Sequence, residues 1–298
     1  MKNIRNLYNI NYYNQKGVAG SHSTIAVLDT GLYPHPDLTD NLIQFRDFVN
    51  NRVSLYDDNS HGTHVSGIVC GKGKINRLYK GIAPDARLIS LKVLDSTGHG
   101  NSENIIRAIE WIISNRSKYN INIVNISIGT KALSCQDEGS HLVRSVDALW
   151  DEGVTVLVSA GNNGPGYQSI TTPGISRKVI TVGSCKSSHT KHVGDSAFSG
   201  KGPTFCNIPK PDIVAPGDDI ISCAVGGKGY TTKSGTSMST PIVSGAAALI
   251  LSHFPKITNN DFKRLLFQSA DDIGLDRYTQ GCGRLNFSKL FSLSEAFL

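Results

Sequence analysis

Three short segments of the 298-residue chain carry side chains suited to nucleophilic chemistry. Thr24-Ile25-Ala26-Val27-Leu28-Asp29-Thr30-Gly31 is an apolar run that ends in a carboxylate and a small turn. Asn59-Ser60-His61-Gly62-Thr63-His64-Val65-Ser66-Gly67 sets a histidine at the start of a small-residue helix. Ser234-Gly235-Thr236-Ser237-Met238-Ser239-Thr240-Pro241 is a glycine-initiated turn feeding an apolar helix, so a serine there stands at the positive end of the helix dipole. Each has an ordinary structural reading: a strand-end anchor, a helix histidine, an N-cap. Zinc at His61 and His64 is not expected, because no third ligand accompanies them in the segment. Together, a carboxylate, an imidazole and a hydroxyl are the parts that acyl transfer needs. A serine hydroxyl is a weak nucleophile until a neutral imidazole takes its proton. The imidazole in turn needs a carboxylate to fix its tautomer and stabilise the imidazolium.

These segments need a scaffold, and the rest of the chain supplies its pattern. Apolar runs without polar alternation occur at 24–29, 87–93, 121–128, 154–160, 179–182 and 213–215, as expected for parallel strands covered on both faces. Amphipathic segments lie between them: Glu103–Tyr119, with Ser102 as N-cap, and His141–Glu152, which stops at Gly153. Pro241–His253 is apolar nearly all round and reads as a buried central helix, and Phe262–Ser269 closes the domain. The alternation predicts an α/β fold, a mainly parallel central sheet with helices on both faces, in which reactive residues lie beyond the carboxyl ends of the strands. No repeat or long linker divides it, so one domain over 21–298 is expected, after a short N-terminal extension over 1–20.

The order Asp, His, Ser is that of the subtilisin-type triad. Val27–Gly31, His61–Gly67 and Gly235–Pro241 closely resemble the three signatures of the subtilases (peptidase family S8, the subtilisin-like serine proteases), and the chain as a whole looks most like their AprX-type intracellular bacterial members. The resemblance implies a three-layer subtilisin-like fold and a serine endopeptidase. Ser237 would be the nucleophile, His61 the general base and then acid, Asp29 its orienter, and His64 structural. Val158-Ser159-Ala160-Gly161-Asn162-Asn163-Gly164 resembles the family segment whose Asn side chain serves the oxyanion, which points to Asn162 rather than Asn163. Gly98-His99-Gly100 and Ser127-Ile128-Gly129 resemble the segments that flank a peptide bound as an added strand. Ser159, Ala160 and Gly161 would wall a roomy pocket for a large apolar or aromatic side chain, with Thr171 and Thr172 near its floor making it shallower. The resemblance also implies a cis bond at Thr172–Pro173. A pseudoprotease that only binds peptides, and a dedicated processing enzyme for one peptide, are the rival readings.

Composition narrows the partners. With 39% apolar and 18% charged residues and a net charge of +6, the chain is neither disordered nor strongly basic. Its cations are scattered, so no nucleic acid is expected, and no apolar run approaches the roughly 20 residues that span a membrane. The N-terminal residues show no hydrophobic leader, which leads to the expectation of a cytoplasmic protein with six buried, reduced cysteines. A mature fragment of a secreted precursor would read identically. No cofactor is expected to be required. Asp37 matches a family carboxylate that can serve calcium, yet the loop 71–80 offers Lys72, Lys74, Arg77 and Lys80 where further carboxylates would be needed. No metal is therefore predicted, and Asp37 is expected to pair with a side chain or cap a turn.

Overall fold

A strand whose every residue is apolar or small has no solvent face to offer. The computed structural model, which describes residues 1–187, 194–227 and 229–297, covers such strands on both sides. In chain order the strands are β1 (Thr24–Asp29), β2 (Leu42–Asp47), β3 (Arg87–Lys92), β4 (Ile121–Ile126), β5 (Thr130–Lys131) and β6 (Thr155–Ser159). They continue with β7 (Thr171–Thr172), β8 (Ile180–Cys185), β9 (Ile213–Pro216), β10 (Ile220–Cys223) and β11 (Tyr230–Lys233). Seven form one parallel sheet in the order β2-β3-β1-β4-β6-β8-β9, while β5–β7 and β10–β11 are small antiparallel pairs. Every residue of β1, β6 and β8 is buried.

The helices are α1 (Lys2–Leu7), α2 (Ile10–Gln15), α3 (His61–Cys70), α4 (Ser102–Tyr119), α5 (His141–Asp151), α6 (Thr236–His253), α7 (Asn259–Ser269), α8 (Arg277–Gln280) and α9 (Phe287–Phe297). The pair α3 and α6 packs on the sheet, and α4 and α5 form a second pair against β1, β4 and β6. The expected fold class is thus the observed one.

Some elements depart from the sequence reading. β2 was not expected. It is an edge strand whose Gln44 and Arg46 break the apolar run, and β3 is its single neighbour in the sheet. The cap of α4 is Asn101, whose side chain accepts from Glu103 N, in place of Ser102. The central helix α6 starts at Thr236 rather than at Pro241. Proline suits a first turn, but inside a helix it withholds the N–H that the carbonyl four residues back requires. That carbonyl belongs to Ser237, and the Ser127 hydroxyl donates to it at 3.2 Å instead.

Residues 1–20 fold as two helices that add Ile4, Tyr8, Ile10 and Tyr13 to the core, with Tyr13 edge-on to Phe287 of α9 at 4.9 Å. The cysteines also need correction. Cys135 and Cys206 form a disulfide, and of the four free thiols Cys70, Cys185 and Cys223 are buried whereas Cys282 is exposed. A pair separated by 71 residues carries no spacing signature, and only the fold brings the two loops together.

Candidate active site

β1 delivers Asp29 to the carboxyl edge of the sheet, and α3 opens at that edge with His61. The carboxylate is buried and its Oδ1 accepts from Thr30 N at 2.8 Å and from His61 Nδ1 at 2.7 Å. An acceptor at Nδ1 fixes the proton there and leaves Nε2 as the free base. The His61 side chain keeps 23% of its surface open, against 1% for Asp29. Burial depresses the imidazole pKa, but the Asp29 charge and hydrogen bond outweigh it, so the net shift is upward despite an opposing Lys233 charge.

A second carboxylate, which the sequence reading did not single out, holds this pair in register. Asp57 Oδ1 accepts from the Thr30 hydroxyl and from Asn59 and Ser60 N–H, and Oδ2 accepts from both Thr63 N–H and the Thr63 hydroxyl. Thr30 Oγ1 in turn accepts from Gly62 N at 2.9 Å. The end of β1 and the start of α3 are thereby tied together on either side of the Asp29–His61 bond. Burial acts to raise the Asp57 pKa, yet these hydrogen bonds prevail and lower it. Beneath them Lys92, register partner of Asp29 and fully buried, donates to Asp58, Thr30 O and Leu94 O at 2.7–2.8 Å. An acidic residue just before a helix start was the available signal for Asp57. A lysine inside an apolar strand gave none.

Ser237 is the second residue of α6, so its N–H has no intrahelical partner. Gly235 enters the helix at φ 151°, a conformation that favours glycine. Asn162 Oδ1 accepts from Thr236 N at 3.0 Å and from the Thr236 hydroxyl at 3.1 Å, which leaves its Nδ2 as the donor end. The Ser237 hydroxyl donates to Ser127 O at 2.8 Å. His61, Ser237, Asn162 and Asn163 all line one cleft, of about 510 Å³.

Asp29, His61 and Ser237, set in this order around one cleft, can be compared with known proteins. The subtilase family profile matches residues 20–284. The chain belongs to the subtilase family. It is 42% identical to serine protease AprX of Bacillus subtilis (strain 168) across 87% of its own length, and 38% identical to subtilisin E of the same strain across 91%. It spans 63% of that AprX protein's length. Among solved structures, the S41 psychrophilic protease superposes with a TM-score of 0.79 at 32% identity, covering 90% of this chain and 92% of that one. Sphericase does so with 0.80 at 31%, with the same coverage of both chains.

The subtilase cleft also receives the expected substrate segments. Gly98, His99, Gly100, Ser127, Ile128, Gly129, Ser159 and Gly161 line it, together with Thr171, Thr172 and Pro173. The Thr172–Pro173 peptide is cis. Ala160 is a correction. It is fully buried and packs with Ala132, Val143, Ile170 and Ile175, because side chains alternate along the strand and its neighbours take the cleft face. His64 lies away from the chemistry: its Nε2 faces Ile220 O at 3.0 Å and Thr231 O at 3.1 Å, and burial lowers its pKa to about 3.

A calcium ion of the kind secreted subtilases hold does not suit the residues around Asp37. Its Oδ1 accepts from Lys74 N at 2.8 Å and Ile75 N at 3.3 Å, and its Oδ2 from the Tyr230 hydroxyl at 2.7 Å. Donors occupy the positions a cation would take. Asp37, His35 and Cys223 do bring one ligand atom each within 4.8 Å of one another. Both ring nitrogens of His35 are engaged, however, with Asp37 N and Gly229 O.

Proposed function

We propose that this subtilase is a serine endopeptidase working through an acyl-enzyme on Ser237. The hydrogen bond between Asp29 and His61, in the cleft that Ser237 and Asn162 share, is the observation that carries the reading. In the first step Ser237 Oγ forms a bond to the scissile carbonyl carbon while His61 Nε2 takes its proton. The oxygen gathers charge between Asn162 Nδ2 and Ser237 N–H, donors held in place beforehand. Collapse expels the amine, which takes the proton from His61. Water then repeats the sequence and frees Ser237. Asp29 Oδ1 holds the Nδ1 proton and keeps the imidazolium oriented. To begin, the Ser237 hydroxyl leaves Ser127 O for His61 Nε2.

The substrate is a peptide or protein, laid as an added strand between 98–100 and 127–129. Residues 21–298 are the catalytic domain and 1–20 an extension docked on it. The chemistry needs no cofactor, because every role falls to a side chain or backbone group already present. A cytoplasmic setting rests on the AprX-type resemblance. The Cys135–Cys206 disulfide speaks for an oxidising one, since such bonds are rare in the cytosol. Among the described residues no helix is long and apolar enough to cross a membrane. Alkylation in denaturant at lysis decides between the settings: six modified cysteines support the cytoplasm, and four oppose it.

A peptide-binding role without turnover is the second reading, and the Ser237–Ser127 hydrogen bond favours it, because it holds the nucleophile away from its base. A fluorophosphonate reagent separates the two. Covalent labelling of Ser237, located by mass spectrometry, supports the peptidase; an unlabelled Ser237 in folded protein supports the binder.

A further inference from the structure

A short helical turn and a tight loop, far apart in the chain, bring three side chains able to hold a metal together. Cys135 and Glu138 lie on the 3₁₀ turn Cys135–Gly139, where residues three apart stand on one face. Cys206 meets them from the loop 204–208, with its Cα 5.0 Å from that of Cys135. One ligand atom from each of the three lies within 4.8 Å of the other two. Neither side depends on the S–S bond for its local shape. Ser134 and Asp137 form a capping box that holds the turn. In the loop, Thr204 N donates to Ile208 O and Asn207 N to Thr204 O, both at 2.9 Å.

The Cys135–Cys206 disulfide is one way to close this cluster, and it belongs to an oxidising setting. In a reducing one, a dithiol gives two electrons and two protons to the disulfide and itself becomes a disulfide. Two thiols are then left beside a carboxylate. Two thiolates and a carboxylate are a donor set that suits zinc. Glu138 is prepared for that role, because the Thr204 hydroxyl donates to its Oε1 at 3.1 Å and orients the carboxyl group. Its Oε2 has Arg177 Nε at 3.8 Å, beyond hydrogen-bond reach, on a side chain that is 69% exposed. The guanidinium charge also suits the set, since three anionic ligands exceed the charge of a divalent ion by one.

We propose that in the reduced protein Cys135, Cys206 and Glu138 bind a zinc ion, with water as the fourth ligand on the exposed side of Cys135. Binding releases the two thiol protons to solvent. Metal and disulfide are then alternative clasps at one place. The clasp joins the two margins of the catalytic cleft. On one side the turn follows β5, whose Thr130 lines the cleft and pairs with Thr172 of β7. On the other, the Cys206 loop leads back to Gly200 and Lys201, whose N–H groups donate to Gly161 O at 2.8 Å and Ser169 Oγ at 2.9 Å. The β5–β7 pairing is two residues long and marginal alone, so a nearby clasp supports it in either redox state. The ion is structural, and peptide hydrolysis routes no step through it.

The test is an anaerobic titration with Co²⁺, a coloured stand-in for zinc, of protein reduced with a phosphine and desalted. Reduced wild type should take up one equivalent with a thiolate-to-cobalt charge-transfer band in the near ultraviolet, and Zn²⁺ should displace it. Cys135→Ser and Cys206→Ser should lose the band, whereas Cys282→Ser should keep it. Glu138→Gln should bind about tenfold more weakly or worse. Zn²⁺ should raise the Tm of the reduced protein and leave that of the oxidised protein unchanged. Folded, reduced wild type without the band, a band that survives either loss of Cys135 or of Cys206, or an equal band in oxidised protein overturns the site. An affinity unmoved in Glu138→Gln overturns the ligand set. None of these measurements uses turnover, so the peptidase reading stands or falls separately.

Discussion

Ser127 and Ser237 hold each other through two hydrogen bonds of opposite sense. The Ser237 hydroxyl donates to the Ser127 carbonyl at 2.8 Å, and the Ser127 hydroxyl donates to the Ser237 carbonyl at 3.2 Å. The second bond exists because Pro241 cannot serve that carbonyl from within α6. Asn125 Nδ2 donates to the same Ser127 hydroxyl at 2.8 Å, and Ser244 of α6 donates to Asn125 Oδ1 at 2.9 Å. The loop after β4 and helix α6 are thus one polar assembly within an apolar core.

Ser127→Ala should therefore destabilise the protein, since it orphans both the Ser237 carbonyl and an Asn125 N–H in a buried setting. Each such loss costs about 1–3 kcal/mol. Urea unfolding should show a lower midpoint at unchanged slope, and an unshifted midpoint would contradict the role given to Ser127.

The pH dependence follows from His61. Catalysis needs the neutral ring, and the net shift of His61 is upward, with burial opposing and Asp29 prevailing. The acidic limb of kcat/KM should therefore have its midpoint above the ordinary histidine value of about 6.5. Asp29→Asn removes the larger raising charge and leaves burial and Lys233 opposed by Asp57 alone, so the limb should move to lower pH while the plateau falls. In stability the sign is reversed: the Asp29–imidazolium attraction is fully present below about pH 6.5 and fades as pH rises through the raised value. A limb that stays in place in Asp29→Asn would refute the coupling.

The sequence singled out Asp29, His61, Ser237 and Asn162 as candidates because each sits in a short, distinctive segment, and the fold brings them to one cleft edge. The parallel sheet was legible because strands buried on both faces show unbroken apolar runs. Asp57 and Lys92 were not, since their work is done across segments: a carboxylate from one loop against Thr30 and Thr63, a lysine from β3 against three acceptors. Edge strand β2 and the Cys135–Cys206 pair likewise depend on neighbours far away in the chain. The start of α6 was misplaced for a related reason, as the donor that makes an internal proline tolerable comes from Ser127.

Asp57 positions the base without touching it. Asp57→Ala removes the acceptor for five donors at the junction of β1 and α3, and should lower kcat by about 10²-fold, the cost of a small misplacement, with little effect on KM. Asp57→Asn, which keeps an acceptor oxygen, should recover part of that loss. It should also shift the acidic limb slightly downward, because the Asp57 charge adds to the rise at His61. Equal kcat in wild type and Asp57→Ala would show the network to be dispensable.

Asn162→Ala should lower kcat by about 10²–10³, a magnitude taken over from the corresponding change in subtilisin, because the donor matters once charge develops on the substrate oxygen. KM should barely move. Asn163 lines the same cleft, and Asn163→Ala should be nearly silent. The opposite pattern, with Asn163 the costly loss, would assign the donor to the wrong residue.

The most direct test is the peptidase rate of Ser237→Ala against wild type, on one peptide substrate at one pH, with folding checked by thermal unfolding. The substitution deletes a single oxygen from a helix that keeps its packing, so Tm should be close to wild type. The rate should fall by about 10⁶, the loss recorded for the serine of subtilisin. A folded Ser237→Ala protein that retains activity within tenfold of wild type would contradict the assignment of Ser237 as the nucleophile.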